Sequence, residues 1–145
     1  MKVHTVSFPP KTIPTWAERV QRWEQLDAAA FVVADAFASW DEPMPDALVL
    51  ANRSASNAAD ARFASTGAQS PSRFVTTLPS VSLSPLLQLT GWVGLVICVL
   101  DGAKTLDTAI SEAHVLIAAG AARHVGIVNY EVGPSSATLY YQVVT

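Results

Sequence analysis

Short apolar runs alternate with an amphipathic stretch in the second half of the chain. Residues 94–100, 124–130 and 137–144 have the length and the apolar content of strands. Between the first two runs, apolar residues recur at helical spacing, at Leu106, Ala109, Ile110, Ala113, Leu116 and Ile117. Asp101 is the expected N-cap of this helix and Gly120 ends it. The pattern therefore predicts a strand, a helix and two further strands.

The first half of the chain has a weaker pattern. Apolar residues at helical spacing and the apolar residues 28–37 together predict one or two helices. The spaced residues are Trp16, Val20, Trp23 and Leu26. The proline-containing residues 41–45 interrupt the pattern, and residues 47–51 predict a short buried strand.

The middle of the chain is the least regular part. Residues 52–72 are rich in Ala, Ser, Asn and Asp and predict a long loop. Residues 74–78 predict a short extended segment, and residues 84–89 predict a helix with Pro85 in its first turn. Gly91 closes this helix.

The order of these elements predicts an α/β fold with a mixed sheet, and residues 1–145 match the length of one domain. A mean hydropathy of +0.30 with only 14% charged residues leaves little polar material to cover the surface. Two explanations remain open. The chain has either a well-filled core or an apolar surface that faces another protein.

Charge and cysteine content exclude several classes of protein. The nine Lys and Arg residues form no run, and the net charge is -3, so nucleic acid is not an expected partner. The single cysteine, Cys98, provides neither a disulfide framework nor a metal-ligand spacing, which favours the cytoplasm. Residues 1–14 contain no apolar core of a signal peptide. The longest apolar run, residues 95–100, is too short to cross a membrane.

Three stretches carry a resemblance to a known family. Residues 47–53, A-L-V-L-A-N-R, form a strand that leads into a loop. Residues 70–80, S-P-S-R-F-V-T-T-L-P-S, resemble the family's S-P-x-x-F segment. Residues 91–94, G-W-V-G, resemble its G-x-x-G-P, although leucine replaces the proline, and Ala113 and Gly120 match its A-x6-G helix.

The family is the N-terminal half of the β-ketoacyl synthases. The chain resembles in particular the short ketoacyl-synthase-like N-terminal proteins of bacterial polyketide and aryl-polyene type pathways, over about residues 46–131. The resemblance implies half of a thiolase-like fold, with a mixed five-stranded sheet flanked by helices. It also implies a relation to chain-length factors, which are ketosynthase relatives that lost the catalytic cysteine.

The resemblance also implies that the catalytic residues are missing. In ketosynthases a cysteine at a helix N-terminus attacks the acyl thioester, and the helix dipole lowers its pKa. The family's spacing places Ala103 at this position, so no catalytic residue is expected. Cys98 lies in a strand, where apolar burial raises the pKa of a thiol, and its expected role is structural. The family's two catalytic histidines belong to the other half, and His4, His114 and His124 match no motif.

Two groups of residues are candidates for contact with a partner. In ketosynthase dimers the strand before the nucleophile pairs with its two-fold mate, which makes Val96, Cys98 and Leu100 the expected interface residues. A second group matches a segment that approaches the partner's acyl pocket. Its members are Phe74, Thr77 and Leu78, for which core packing is an equally good explanation.

The resemblance therefore implies a non-catalytic subunit that pairs with an active, full-length ketosynthase as a heterodimer or higher assembly. It would help shape the acyl tunnel of that partner during elongation of chains carried by acyl carrier protein, which it would meet only indirectly. No cofactor and no metal is expected. Two alternatives remain: a module that binds acyl chains or acyl carrier protein, and an acyltransferase that depends on Cys98.

Overall fold

The computed structural model describes residues 1–52 and 82–145. These residues contain a five-stranded sheet with the order β1-β5-β4-β2-β3. The strands are β1 (Lys2–Ser7), β2 (Ala47–Ala51), β3 (Leu95–Val99), β4 (Val125–Val132) and β5 (Ser136–Val144). The α-helices in these residues are α1 (Ala28–Phe37), α2 (Ser84–Thr90) and α3 (Thr105–Ala118).

The sheet is mixed. β2 pairs in parallel with both β3 and β4, whereas β5 runs antiparallel to β4 and to β1. Parallel strands need a crossover, and α3 makes the crossover from β3 to β4. The expected α/β fold with a mixed five-stranded sheet is confirmed.

One face of the sheet is covered by α1 and α2. The helix α1 begins at Asp27, whose carboxylate accepts a hydrogen bond from the Ala30 amide at 2.9 Å. Most of α1 is buried, because it is apolar on nearly every side. The helix α2 has Pro85 in its first turn and ends at Gly91, which has a positive φ of 66°. Both helices match their prediction closely.

The opposite face of the sheet is covered by α3. This helix approaches the sheet closely, because its fully buried positions are the small residues Ala109 and Ala113. They pack on Val49 and Ile127 in a second core cluster. The larger apolar residues of the predicted stripe lie on the flanks of α3, where they are only partly buried or, for Leu106, exposed.

Two parts of the N-terminal region differ from expectation. The spaced residues from Trp16 to Leu26 form two short 3-10 turns, Ala17–Arg19 and Trp23–Gln25, instead of a helix. Between the two turns Arg22 has a left-handed backbone with φ 53°, which interrupts helical hydrogen bonding. Earlier in the chain β1 forms an edge strand that the sequence pattern did not predict.

Candidate functional site

The strand β3 lies at one edge of the sheet. It pairs with β2 on one side, and no other strand in the described ranges, 1–52 and 82–145, pairs with its other side. We call this second side the open edge of β3. The strand reads L-V-I-C-V and carries no charge and no proline, the two devices that usually block pairing at an exposed edge.

The hydrogen-bond pattern shows which backbone groups reach the open edge. The amide of Asn52 donates to the carbonyl of Val99 at 3.2 Å, so Val99 directs its backbone polar groups toward β2. Successive residues of a strand point these backbone groups to opposite sides. Ile97, two residues before Val99, therefore also directs its backbone groups toward β2. Val96 and Cys98 therefore present their N–H and C=O groups to the open edge.

The side chains along β3 add an apolar surface to these backbone groups. Leu95 is 48% exposed, Val96 and Ile97 are half-buried, and Cys98 is exposed. Leu100 is 61% exposed and directly follows the last residue of β3 rather than lying within it. Two of the three interface residues expected from the sequence, Val96 and Cys98, thus lie in the edge strand of the described sheet, and the third, Leu100, follows it.

The other edge of the sheet differs in character. β1 carries Lys2 and His4, and both residues are engaged with neighbouring groups. Lys2 forms an ion pair with Glu42 and lies over the ring of Trp40. His4 bonds to Asp35 at 2.8 Å. Charged side chains at an edge discourage further pairing, so the two edges are not equivalent.

The thiol of Cys98 is more exposed than the sequence indicated. Its side chain lies at the surface, which corrects the expectation of a buried apolar site. The surrounding protein still removes enough water to raise the pKa of the thiol above its ordinary value. Cys98 is therefore mostly protonated at neutral pH, which is unfavourable for nucleophilic attack on a thioester.

By the family resemblance, the junction between β3 and α3 is the expected position of a ketosynthase nucleophile. Ala103 is the middle residue of the 3-10 turn Gly102–Lys104, directly before α3, and it is exposed. The turn is closed by Thr105, whose hydroxyl accepts from the Asp101 amide at 2.9 Å and donates to the Gly102 carbonyl at 2.7 Å. The methyl group of Ala103 offers neither a nucleophile nor a proton.

The expectation that Asp101 caps α3 is wrong. Its carboxylate accepts a hydrogen bond from the Thr108 hydroxyl at 2.7 Å, and its side chain makes no capping bond to a backbone amide. The 3-10 turn Gly102–Lys104 separates Asp101 from the first residue of α3.

A polar cluster lies near the carboxyl end of β2, close to Cys98. Asn52 is buried and donates from Nδ2 to the Tyr130 hydroxyl at 2.7 Å. Burial raises the pKa of Tyr130, against the lowering effect of a hydrogen bond with Ser82, and Asp27 and then Cys98 add smaller rises. Neutral tyrosine and amide groups can bind and orient, but they supply no base at neutral pH.

The remaining site predictions have separate outcomes. His114 is exposed on α3, and His124 lies beside Asp46 just before β4, so neither histidine joins the residues at β3. The acyl-tunnel candidates Phe74, Thr77 and Leu78 lie outside the described residues. Within 1–52 and 82–145, no cluster of His, Cys, Asp and Glu could hold a metal ion. None of the helices described there is long and apolar enough to cross a bilayer.

Sequence comparison finds no relative: no protein-family model and no curated protein matches this chain. Comparison of structures finds the complex of the ketosynthase ApeO with its chain length factor ApeC from Xenorhabdus doucetiae. The superposition has a TM-score of 0.70 at 17% sequence identity, and it covers 97% of this chain and 76% of the matched chain. The chain therefore has an α/β fold of the ketosynthase-like type, half of a thiolase-like fold.

Proposed function

We propose that this protein is a non-catalytic subunit that pairs with an active ketosynthase through the open edge of β3. The observation that carries the proposal is an uncharged apolar strand whose Val96 and Cys98 backbone groups pair with no other strand in residues 1–52 and 82–145. Such an edge is suited to extension by a partner strand.

The likeness in fold supports this choice of partner. The structural neighbour is a ketosynthase assembled with its chain length factor, and the matched chain is only moderately longer than this one. Ala103 at the start of α3 and the protonated thiol of Cys98 both argue against catalysis by this chain alone. The active cysteine would belong to the partner.

The direct test is complex formation with a complete ketosynthase encoded in the same gene neighbourhood. The two proteins are co-expressed, and the complex is analysed by size-exclusion chromatography with mass measurement. We expect a complex that contains both chains. Two separate peaks at micromolar concentrations would refute the proposal.

A role in shaping the acyl tunnel is the finer part of the proposal. It concerns Phe74, Thr77 and Leu78 and rests on the family resemblance of their segment. In a reconstituted system with acyl carrier protein, Phe74→Ala is expected to change product length without lowering the yield of the complex. An unchanged product profile would remove Phe74 from the tunnel and leave it a packing role.

The alternative of a Cys98-dependent acyltransferase has a separate test. The purified chain is incubated with an acyl thioester, and Cys98→Ala serves as the control. The raised pKa of the thiol predicts no covalent label on the parent protein. A label that Cys98→Ala abolishes would favour the enzymatic alternative.

A further inference from the structure

The segment between α2 and β3 holds its backbone in a tightly constrained turn. Gly91 ends α2 with a positive φ, and its amide donates to the Leu87 carbonyl at 2.9 Å. The amide of Trp92 then bonds to the Thr90 hydroxyl at 3.2 Å. The indole of Trp92 donates to the Pro45 carbonyl at 2.8 Å, which ties the turn to the segment before β2.

A glycine makes this arrangement possible at the other end of the turn. A Cβ atom at Gly94 would lie 2.3 Å from the Trp92 ring, so the indole packs directly over the glycine backbone. Both neighbours of Val93 are thus held in place, Trp92 by its hydrogen bonds and Gly94 by the ring above it.

Val93 itself points away from the protein. It is 94% exposed, more than any other large apolar side chain among the described residues. Contact with water does not stabilise an apolar side chain, but a single exposed apolar residue is common on protein surfaces. Val93 differs because it lies in a turn held by hydrogen bonds, directly before β3, and the exposed side chain of Leu95 lies close behind it in the sequence.

We infer that Val93 is an anchor residue that inserts into an apolar pocket of the partner, beside the partner strand that pairs with β3. This inference rests on the proposed function and adds to it a specificity-determining contact outside the strand. The partner needs an uncharged edge strand and, next to it, a pocket of about the volume of a valine side chain. A residue whose backbone is already held in place loses less conformational freedom on binding than one on a flexible loop.

The test compares two serine variants in the same binding experiment. Val93→Ser removes the proposed anchor, and Val115→Ser, at a 58% exposed valine on α3, is the matched control. Affinity for the complete ketosynthase from the gene neighbourhood is measured by biolayer interferometry. We expect Val93→Ser to weaken binding by about tenfold or more, mainly through faster dissociation, and Val115→Ser to change it by less than about twofold.

Thermal unfolding of both variants checks that the fold is retained, because neither side chain contributes to the core. In the complex, the methyl signals of Val93 should also lose their contact with a soluble paramagnetic agent. Equal affinity of Val93→Ser and the parent chain would overturn the anchor. If Cys98→Pro abolishes binding while Val93→Ser does not, pairing through β3 stands and only the anchor fails. If the parent chain binds no ketosynthase, both proposals fall.

Discussion

A proline scan of β3 separates pairing at the open edge from folding of the sheet. Proline has no N–H group, so its effect depends on whether the lost N–H faced a partner or β2. At Cys98 the lost group faces the open edge, whereas at Ile97 it faces β2. Cys98→Pro should therefore impair complex formation, and Ile97→Pro should impair the fold.

The size of each effect follows from the hydrogen bonds involved. Val96 and Cys98 offer four backbone groups to an antiparallel strand, and each bond contributes ~0.5–1.5 kcal/mol. Cys98→Pro removes one bond and places a ring against the incoming strand, so affinity should fall by roughly tenfold to a hundredfold. Ile97→Pro leaves a buried carbonyl of β2 without its donor and should destabilise the fold by about 1–3 kcal/mol.

The assay combines chemical denaturation of the isolated chain with titration against the complete ketosynthase. Cys98→Val is the matched control, because it keeps the N–H group and replaces the thiol with an apolar side chain that strands accept well. It should bind like the parent chain. The reasoning is refuted if Cys98→Pro binds normally, or if it destabilises the isolated chain as strongly as Ile97→Pro does.

Three further predictions concern the fold. The Asp46 carboxylate accepts the amides of Arg123 and His124, and these bonds lower its pKa below the ordinary 3.8. A lowered folded pKa gives stability that is present above the unfolded value and is lost as the pH falls through the folded value. Asp46→Asn should therefore lower stability to urea at pH 7, and this difference should shrink as the pH falls below 3.8; a difference that does not change with pH would contradict the assignment. The Tyr141 hydroxyl is buried, has no partner among the described residues, and its pKa is raised to about 12 by burial. Tyr141→Phe should stabilise the chain by ~1 kcal/mol in denaturant unfolding, and a loss of stability would reveal a partner of the hydroxyl. Gly126 lies beneath the Tyr141 ring, where an added Cβ would come within 2.7 Å of the Tyr141 hydroxyl. Gly126→Ala should therefore destabilise the fold by about 1–3 kcal/mol. Gly120→Ala is the comparison, because Gly120 has a positive φ but no atom near an added Cβ. An unchanged midpoint for Gly126→Ala would show that the ring can move.

The sequence pattern predicted the helices and strands that bury apolar residues in regular order. β2 matches its prediction at both ends, and α3 lies between Asp101 and Gly120, the two residues that the sequence pattern gives as its limits. In α3 the pattern exists because one side of the helix contacts the core, whereas β2 is a continuous apolar run because it is buried on both faces. Apolar residues from Trp16 to Leu26 also recur at helical spacing, and they pack in a cluster with Phe31 and Leu89. Two short 3-10 turns place these side chains in that cluster as well as a helix would, so the spacing alone did not predict the element.

The candidate site was only partly accessible to such reasoning. The apolar run of β3 indicated a strand suited to pairing, and the family resemblance suggested the loss of the nucleophile at Ala103. The exposure of Cys98 was not predicted, because an apolar sequence does not distinguish a central strand from an edge strand. Val93 was also missed, since its environment depends on the packing of Trp92 over Gly94.

The sequence by itself determined the α/β class and the order of the described elements from β2 onward. Local periodicity and turn residues are sufficient for these features because they act between neighbours in the chain. Only the tertiary structure decided which strands became edges, and with them the sides to which Val96 and Cys98 direct their backbone groups. The position of a strand in a sheet depends on contacts between distant segments, such as β1 with β5, and no local pattern records those contacts.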